Sequence, residues 1–287
     1  MSPSRNGNFT SSEIVALLSM GERKMTEAEL AARPKTGTGS RTTLVDDPES
    51  LGEAALTYID ECNMERRLGR CLTNEITAYP TTWGNLCEGY VHDILGTDYK
   101  LMSDQTLDHP TIPYWKGSPD FLRFIDTMAD AVGDAKCPMT LKSFCQLVDP
   151  YYLGGLTGMD YINAIRFGWK DKDGVFHKKH DQGEKYYWQL VSGSCLTDVK
   201  YAELIVFAPY RTELSKIKAM AEGNPDYYWA FYADDSKLPY LPEGGLYKNL
   251  NVFRFEVPFL DKQLLHRRVE LAGKKLIPCE QLVTVEA

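Results

Sequence analysis

Asp120, Asp134 and Lys136 have the types and the spacing for phosphodiester chemistry. Asp120 stands in GSPDF (residues 117–121), and Asp134 and Lys136 stand in GDAKCP (residues 133–138). An extended chain alternates its side chains between the two sides of a sheet, so residues 134 and 136 share one face. Residues 111–138 read as a β-hairpin, IPYWKGSPDFLRF and DAVGDAKCP joined by a turn at IDTMAD, which sets Asp120 and Asp134 on adjacent strands. Glu88 lies on the helix before them. Hard carboxylate oxygens hold Mg²⁺ in a partly hydrated octahedron, and such an ion bridges a scissile phosphate while lowering the pKa of an attacking water. The lysine adds positive charge where negative charge builds up, and can orient or deprotonate the water.

The elements around these residues follow from periodicity. Thr10, Ser11 or Ser12 is expected to cap a helix through EIVALLSMG that ends at Gly21, and residues 31–50, rich in Thr, Ser, Gly and Pro, are expected to form a mobile loop. A helix is expected from Ser50 to Leu72, and a third opens near Thr82, with Trp83, Leu86, Val91 and Leu95 as its apolar positions. After the hairpin come a helix at Thr140–Leu147 and another over EKYYWQLVSGSCLTD. Strands follow at AELIVFAPY and NVFRFEVP, and FLDKQLLHRRVELAGKK closes as an amphipathic helix. This order predicts a mixed-sheet α/β layer fold.

Composition narrows the class. The chain has 287 residues, of which 43% are hydrophobic and 25% charged, so an ordinary globular core is expected and disorder, collagen and coiled coil are excluded. Its net charge of −8 means that any contact with nucleic acid must be local. Seven scattered cysteines without a CxxC pair argue against zinc or iron-sulfur sites and for a reducing, cytoplasmic setting. His177 and His180 in HKKH have ligand-like spacing, but the polar stretch around them reads as a solvated hairpin.

The D…DxK constellation, together with four further features in the same order, resembles the PD-(D/E)XK nuclease superfamily, and within it the lambda exonuclease or YqaJ-like viral recombinase family. FTSSEIVAL resembles that family's serine-containing opening helix, WGNLCE its W-G-x-x-x-E helix, GSPDF its S-P-D-G, and YYWQLVSG its Tyr-rich helix that supplies a glutamine. The resemblance spans roughly residues 9–210 and implies a restriction-endonuclease-like mixed β-sheet core flanked by helices, with a helical N-terminal region. The chain would form a single domain: an N-terminal part to residue 75, a catalytic core over 76–215, and a C-terminal strand and helix over 216–287. By the same resemblance Asp120 and Asp134 would be the primary metal ligands, with the backbone carbonyl of Ala135 completing the shell. Glu88 would hold a second metal or its waters, Lys136 is the motif lysine, and Gln189 would position the water or a phosphate oxygen. Ser11 or Ser12 would lie near the terminal phosphate of the substrate strand.

The implied activity is a Mg²⁺-dependent exonuclease, with two ions and with Mn²⁺ as substitute. It would degrade one strand of linear double-stranded DNA 5′ to 3′ in a bacterial host cell and leave 3′ tails for recombination. A ring of subunits, a trimer by resemblance, would supply processivity, and a phage single-strand annealing protein would be its partner. Three departures stand out: Asp134 replaces the commoner Glu, Phe121 replaces Gly, and Glu13 stands where the family often has Arg. A carboxylate cannot grip a 5′ phosphate, so recognition of that phosphate is expected only if Arg23, Arg41 or another basic side chain substitutes. Arg66, Arg67, Arg70, Lys142, Lys178, Lys179, Arg267 and Arg268 are candidates for a track along the DNA backbone. The rival readings are an endonuclease of the same superfamily and a catalytically silent DNA-binding or scaffold protein of the same fold. Singly, each acid also reads as turn or helix-surface chemistry, Gln189 as part of a packed aromatic face, and the serines as helix caps.

Overall fold

A computed structural model describes residues 5–32, 43–72 and 78–278. Its centre is a five-stranded mixed sheet: β1 (Tyr99–Leu101), β2 (Phe121–Ile125), β3 (Met128–Lys136), β4 (Tyr201–Phe207) and β5 (Leu250–Glu256). The spatial order is β5-β4-β3-β2-β1, with β3 and β4 parallel and every other pair antiparallel. The expected mixed sheet flanked by helices is therefore present. Six residues of YAELIVF in β4 are buried, as a central strand covered on both faces requires, whereas β5 alternates buried Asn251, Phe253 and Phe255 with more exposed positions, as an edge strand does.

Two apolar layers cover the sheet. One face carries Leu122, Val132, Leu204 and Val206 and is covered by helices α1 (Glu53–Leu68), α3 (Leu141–Tyr152), α4 (Gly158–Phe167), α5 (Gly183–Thr197) and α6 (Phe259–Gly273). The other carries Phe121, Ile205 and Phe207 beneath α2 (Tyr79–Leu95) and a short helix at Leu214–Met220. Among the described residues no helix is long and apolar enough to cross a membrane. Cys62, Cys87, Cys137, Cys145 and Cys195 are unbridged; Cys279 lies outside the described residues.

Several expected elements differ. EIVALLSMG forms only a five-residue 3-10 turn, Ile14–Leu18, without a side-chain cap; Ser11 is turned inward instead, and Gly21 opens a strand rather than ending a helix. That strand, Gly21–Lys24, pairs antiparallel with Leu44–Asp47, so the described part of the expected 31–50 loop contains ordered chain, while residues 33–42 lie outside the described residues. The N-terminal part is thus mixed rather than helical. The helix expected to open near Thr82 begins at Tyr79, with Pro80 in its first turn where a missing N–H costs nothing. The one expected over Ser50–Leu72 is trimmed to Glu53–Leu68 by Gly69 in the left-handed conformation.

The hairpin splits. Trp115–Gly117 joins a separate small sheet with Phe9–Thr10 and Leu107–Asp108, because Ser118 and Pro119 break the run. The connecting turn is only Asp126 and Thr127, with Asp126 at φ 55°, a conformation aspartate tolerates. Thr140 caps α3 through its hydroxyl, and α3 runs past Leu147 to Tyr152 despite Pro150. Helix α4 was not expected from the sequence, nor were the short helices at Leu214–Met220 and Tyr228–Tyr232.

Candidate active site

One polar cavity of roughly 870 Å³ opens at the end of the sheet where β3 finishes and β2 begins. Asp120, Lys136, Glu88 and Gln189 all line it, together with Ser11, Ser12, Arg5 and Lys185. Three elements meet there. The β2–β3 hairpin brings Asp120 beside residues 134–136, since Phe121 pairs with Gly133. Asp120 itself precedes β2 instead of lying on it, and its Oδ2 accepts the backbone N–H of Ala135 at 2.7 Å, which locks the start of one strand to the end of the other. Glu88 comes from α2, on one side of the sheet, and Gln189 from α5, on the other.

Asp134 is turned to the same side as Lys136, as the period of two requires. Its Oδ1 accepts from Gln189 Nε2 at 2.7 Å, and its Oδ2 lies 2.5 Å from Lys136 Nζ. This oxygen has the ammonium as its ionic neighbour and no further hydrogen-bond partner. Asp134 is buried beside the cavity rather than exposed in it. The Lys136 ammonium also sits 4.8 Å from the centre of the Tyr186 ring. Gly193 packs α5 closely on β3: a Cβ there would stand 3.0 Å from Val132 Cγ2, so the neighbouring side chain would have to give by a few tenths of an ångström.

The electrostatics are those of an acid cluster around one cation. Burial, with the charges of Asp134 and Glu88, drives the Asp120 carboxyl well above the usual range. Burial raises Glu88 too, with the charge of Asp134 in the same direction and a hydrogen bond from Ser103 opposing it. For Lys136, burial alone would favour the neutral amine, but the charges of Asp134 and Asp120 outweigh it and hold the ammonium. Glu88 Oε1 is buried without a hydrogen-bond partner, as is Asp134 Oδ2. Two such oxygens beside a third carboxylate are a donor set for a hard cation. Among the described residues no three His, Cys, Asp or Glu side chains cage an ion by themselves.

The serines are placed differently from one another. Ser11 is buried and shares a hydrogen bond with Ser192 at 2.8 Å, and Ser192 also accepts from Trp115 Nε1. Ser12 faces Thr10 and lies 3.4 Å from Arg5, which donates to it. Glu13 turns away to Lys185, at 2.8 Å. Arg23 is committed to Glu29, and Arg41 lies outside the described residues. The cavity's basic groups besides Lys136 are Arg5 and Lys185. Burial lowers the pKa of Arg5, and its Nε has no partner. No signal in the sequence marked Arg5, which joins the cavity only because Phe9–Thr10 pairs with Trp115–Lys116.

Other expected residues are not in the site. Arg268 is fully buried, donating to the carbonyls of Leu17, Ser19, Pro48 and Ser50, so the last helix is less amphipathic than its sequence reads. Arg66 holds Gly7 and Ile277, and Arg267 meets Glu49. His177 and His180 do form a hairpin region, but His180 is buried on Ser143 rather than solvated, and His177 bonds Asp171.

No family model matches the chain, and no curated protein matches its sequence. Among solved structures, a phage-related exonuclease from Haemophilus somnus 129PT is similar over 96% of this chain and 94% of its own, with a TM-score of 0.50 and 13% identity. The fold is similar to that of a phage-related exonuclease. The alkaline exonuclease LHK-Exo from Laribacter hongkongensis also matches, at 15% identity, over 94% of this chain and 91% of its own, with a TM-score of 0.46. The same enzyme in complex with dAMP matches at 15% identity over 95% and 92%, with a TM-score of 0.47.

Proposed function

We propose that the chain is a divalent-metal-dependent deoxyribonuclease, acting as a 5′ to 3′ exonuclease on linear double-stranded DNA and leaving 3′ tails for recombination. The observation that carries this reading is the convergence of Asp120, Glu88, Lys136 and Gln189 on one cavity, with Asp134 held between Gln189 and Lys136. Asp120 and Asp134 would hold Mg²⁺ with the Ala135 carbonyl, and Glu88 would hold a second ion or its waters. A bound ion of this kind neutralises a phosphate and acidifies a coordinated water. Lys136, kept charged by its neighbours, stabilises the negative charge that grows on the phosphoryl oxygens; this role is electrostatic and does not require it to give up a proton. Gln189 keeps Asp134 from turning away. Arg5 and Ser12, at the other side of the same cavity, would receive a terminal phosphate and supply the cation that Glu13 cannot. A ring of subunits, a trimer by resemblance, would make the enzyme processive, with a phage single-strand annealing protein as its partner.

The test is incubation with linear and closed circular duplex, with Mg²⁺ or with EDTA. The reading expects metal-dependent loss of the linear form alone, and folded Asp120→Asn and Lys136→Ala variants slower by orders of magnitude. Cutting of the closed circle would establish the endonuclease alternative; no hydrolysis under any divalent metal would leave the silent DNA-binding reading.

A further inference from the structure

The cavity alone does not say where a duplex lies, and a chain of net charge −8 must concentrate its positive surface somewhere. Of the basic side chains that could form a track, the structure commits Arg66 and Arg268 to backbone carbonyls and Arg267 to a surface pair with Glu49. Arg67, Arg70 and Lys142 are exposed without an ion pair among the described residues, but lie apart in sequence, at or just past the end of α1 and in α3. Lys170, Lys172, Lys178 and Lys179 are exposed too, and none of them makes an ion pair among the described residues. All four belong to one small hairpin, in which Trp169–Lys170 pairs antiparallel with Phe176–His177.

This hairpin is rigidly built. The His177 ring stacks on Trp169 with centres 4.2 Å apart, and its Nε2 meets Asp171 at 2.9 Å. Asp171 also accepts the N–H groups of Asp173 and Val175, which fixes the turn with its carboxylate facing inward. Gly168, at φ 91°, lets the hairpin leave α4 where a side chain would strike the carbonyl of His177. At the tip, Val175 and Phe176 are more than half exposed. The base of the hairpin leads straight to the cavity: His180 is fixed by Ser143, its ring lies 5.5 Å from that of Tyr186, and Gln182, Lys185 and Tyr186 line the cavity. Asp171 and Asp173 in the turn, Asp181 at the base and Glu184, whose charge acts on Lys179, are the acids that dilute the patch.

We infer that the Trp169–Lys179 hairpin is a second nucleic-acid contact, which grips the phosphates of the duplex outside the cavity through Lys170, Lys172, Lys178 and Lys179. This rests on the nuclease reading for its substrate class. Charge complementarity argues for phosphate as the occupant: four unpaired ammonium groups gathered on a rigid arm attract a polyanion, and each phosphate they neutralise releases counterions.

The test is the salt dependence of binding to a linear duplex in EDTA, where no hydrolysis competes. Changing all four lysines to Ala should flatten the slope of log K against log salt by about 0.9 for every phosphate that is no longer neutralised, hence by between about two and four. A control with the same loss of charge, Lys216→Ala, Lys237→Ala, Lys274→Ala and Lys275→Ala, should keep the wild-type slope. Hydrolysis of bis(p-nitrophenyl) phosphate should be the same in all three proteins. An unchanged slope in the hairpin variant, or an equal drop in the control, overturns the inference. A wild type that binds duplex and cuts it, beside a hairpin variant with full slope, refutes this inference alone; a wild type that hydrolyses neither DNA nor the small ester refutes the nuclease reading instead.

Discussion

Changing Lys136 to Met keeps most of the side chain's stem and removes its charge from a place where three carboxylates depend on it. Lys136 and Asp134 are both largely buried, with 17% and 4% of their side chains exposed, at 2.5 Å. Removing one partner of such a pair leaves an uncompensated buried charge, at a cost of about 3–5 kcal/mol. At roughly 2–4 °C per kcal/mol for a domain of this size class, the metal-free variant should melt at least about 6 °C lower. The double variant Lys136→Met, Asp134→Asn has no such charge at position 134 and should recover most of the loss. Nuclease activity should stay down by about 100-fold or more in both, because the stabilising cation is gone from both. The assay pairs urea or thermal unfolding in EDTA with hydrolysis of linear duplex. A single variant as stable as wild type, or a double variant no better than the single, would refute the reasoning that Lys136 exists to hold these acids.

Other residues carry expectations of their own. Gly193→Val should separate α5 from β3, so that Gln189 loses Asp134; activity should fall at least about tenfold while the protein still folds, and unchanged turnover would count against the Gln189 grip. Arg5→Ala should remove the preference for a 5′-phosphorylated over a 5′-hydroxyl end while leaving hydrolysis of a small phosphodiester intact, and a retained preference contradicts the assignment. His109, packed between Trp115 and His266, has its pKa pulled down to about 4 by burial and then by the charge of His266. The unfolded chain takes that proton near pH 6.5 and the native one does not, so stability is full above pH 6.5 and drains as the pH falls toward 4. His109→Gln should flatten the melting temperature against pH across that window, and equal slopes would remove His109 as the cause.

How much was legible follows from the range of the signals. Strands β4 and β5 and helices α5 and α6 were readable because long apolar runs and helical spacing are local properties. The Asp134–Lys136 pair was readable for the same reason, a fixed period of two. Helix α4 escaped because GMDYINAIRF opens on a glycine, Gly158, and has only a short apolar face. Ser11 looked like a cap and became a buried link to Ser192, 181 residues away, a contact no local pattern encodes. Arg5 and the split of the first hairpin strand likewise depend on pairings between distant segments. Arg268 looked like a surface charge because a buried guanidinium satisfied by four carbonyls has no mark in a helical repeat.

The most direct measurement is anomalous diffraction from a crystal soaked in Mn²⁺. The account predicts a peak in the cavity against the carboxylates of Asp120 and Asp134, with a second, if present, toward Glu88, and loss of the first in Asp120→Asn. A peak at Asp171 and His177 instead, or none in the cavity at saturating Mn²⁺, would contradict it.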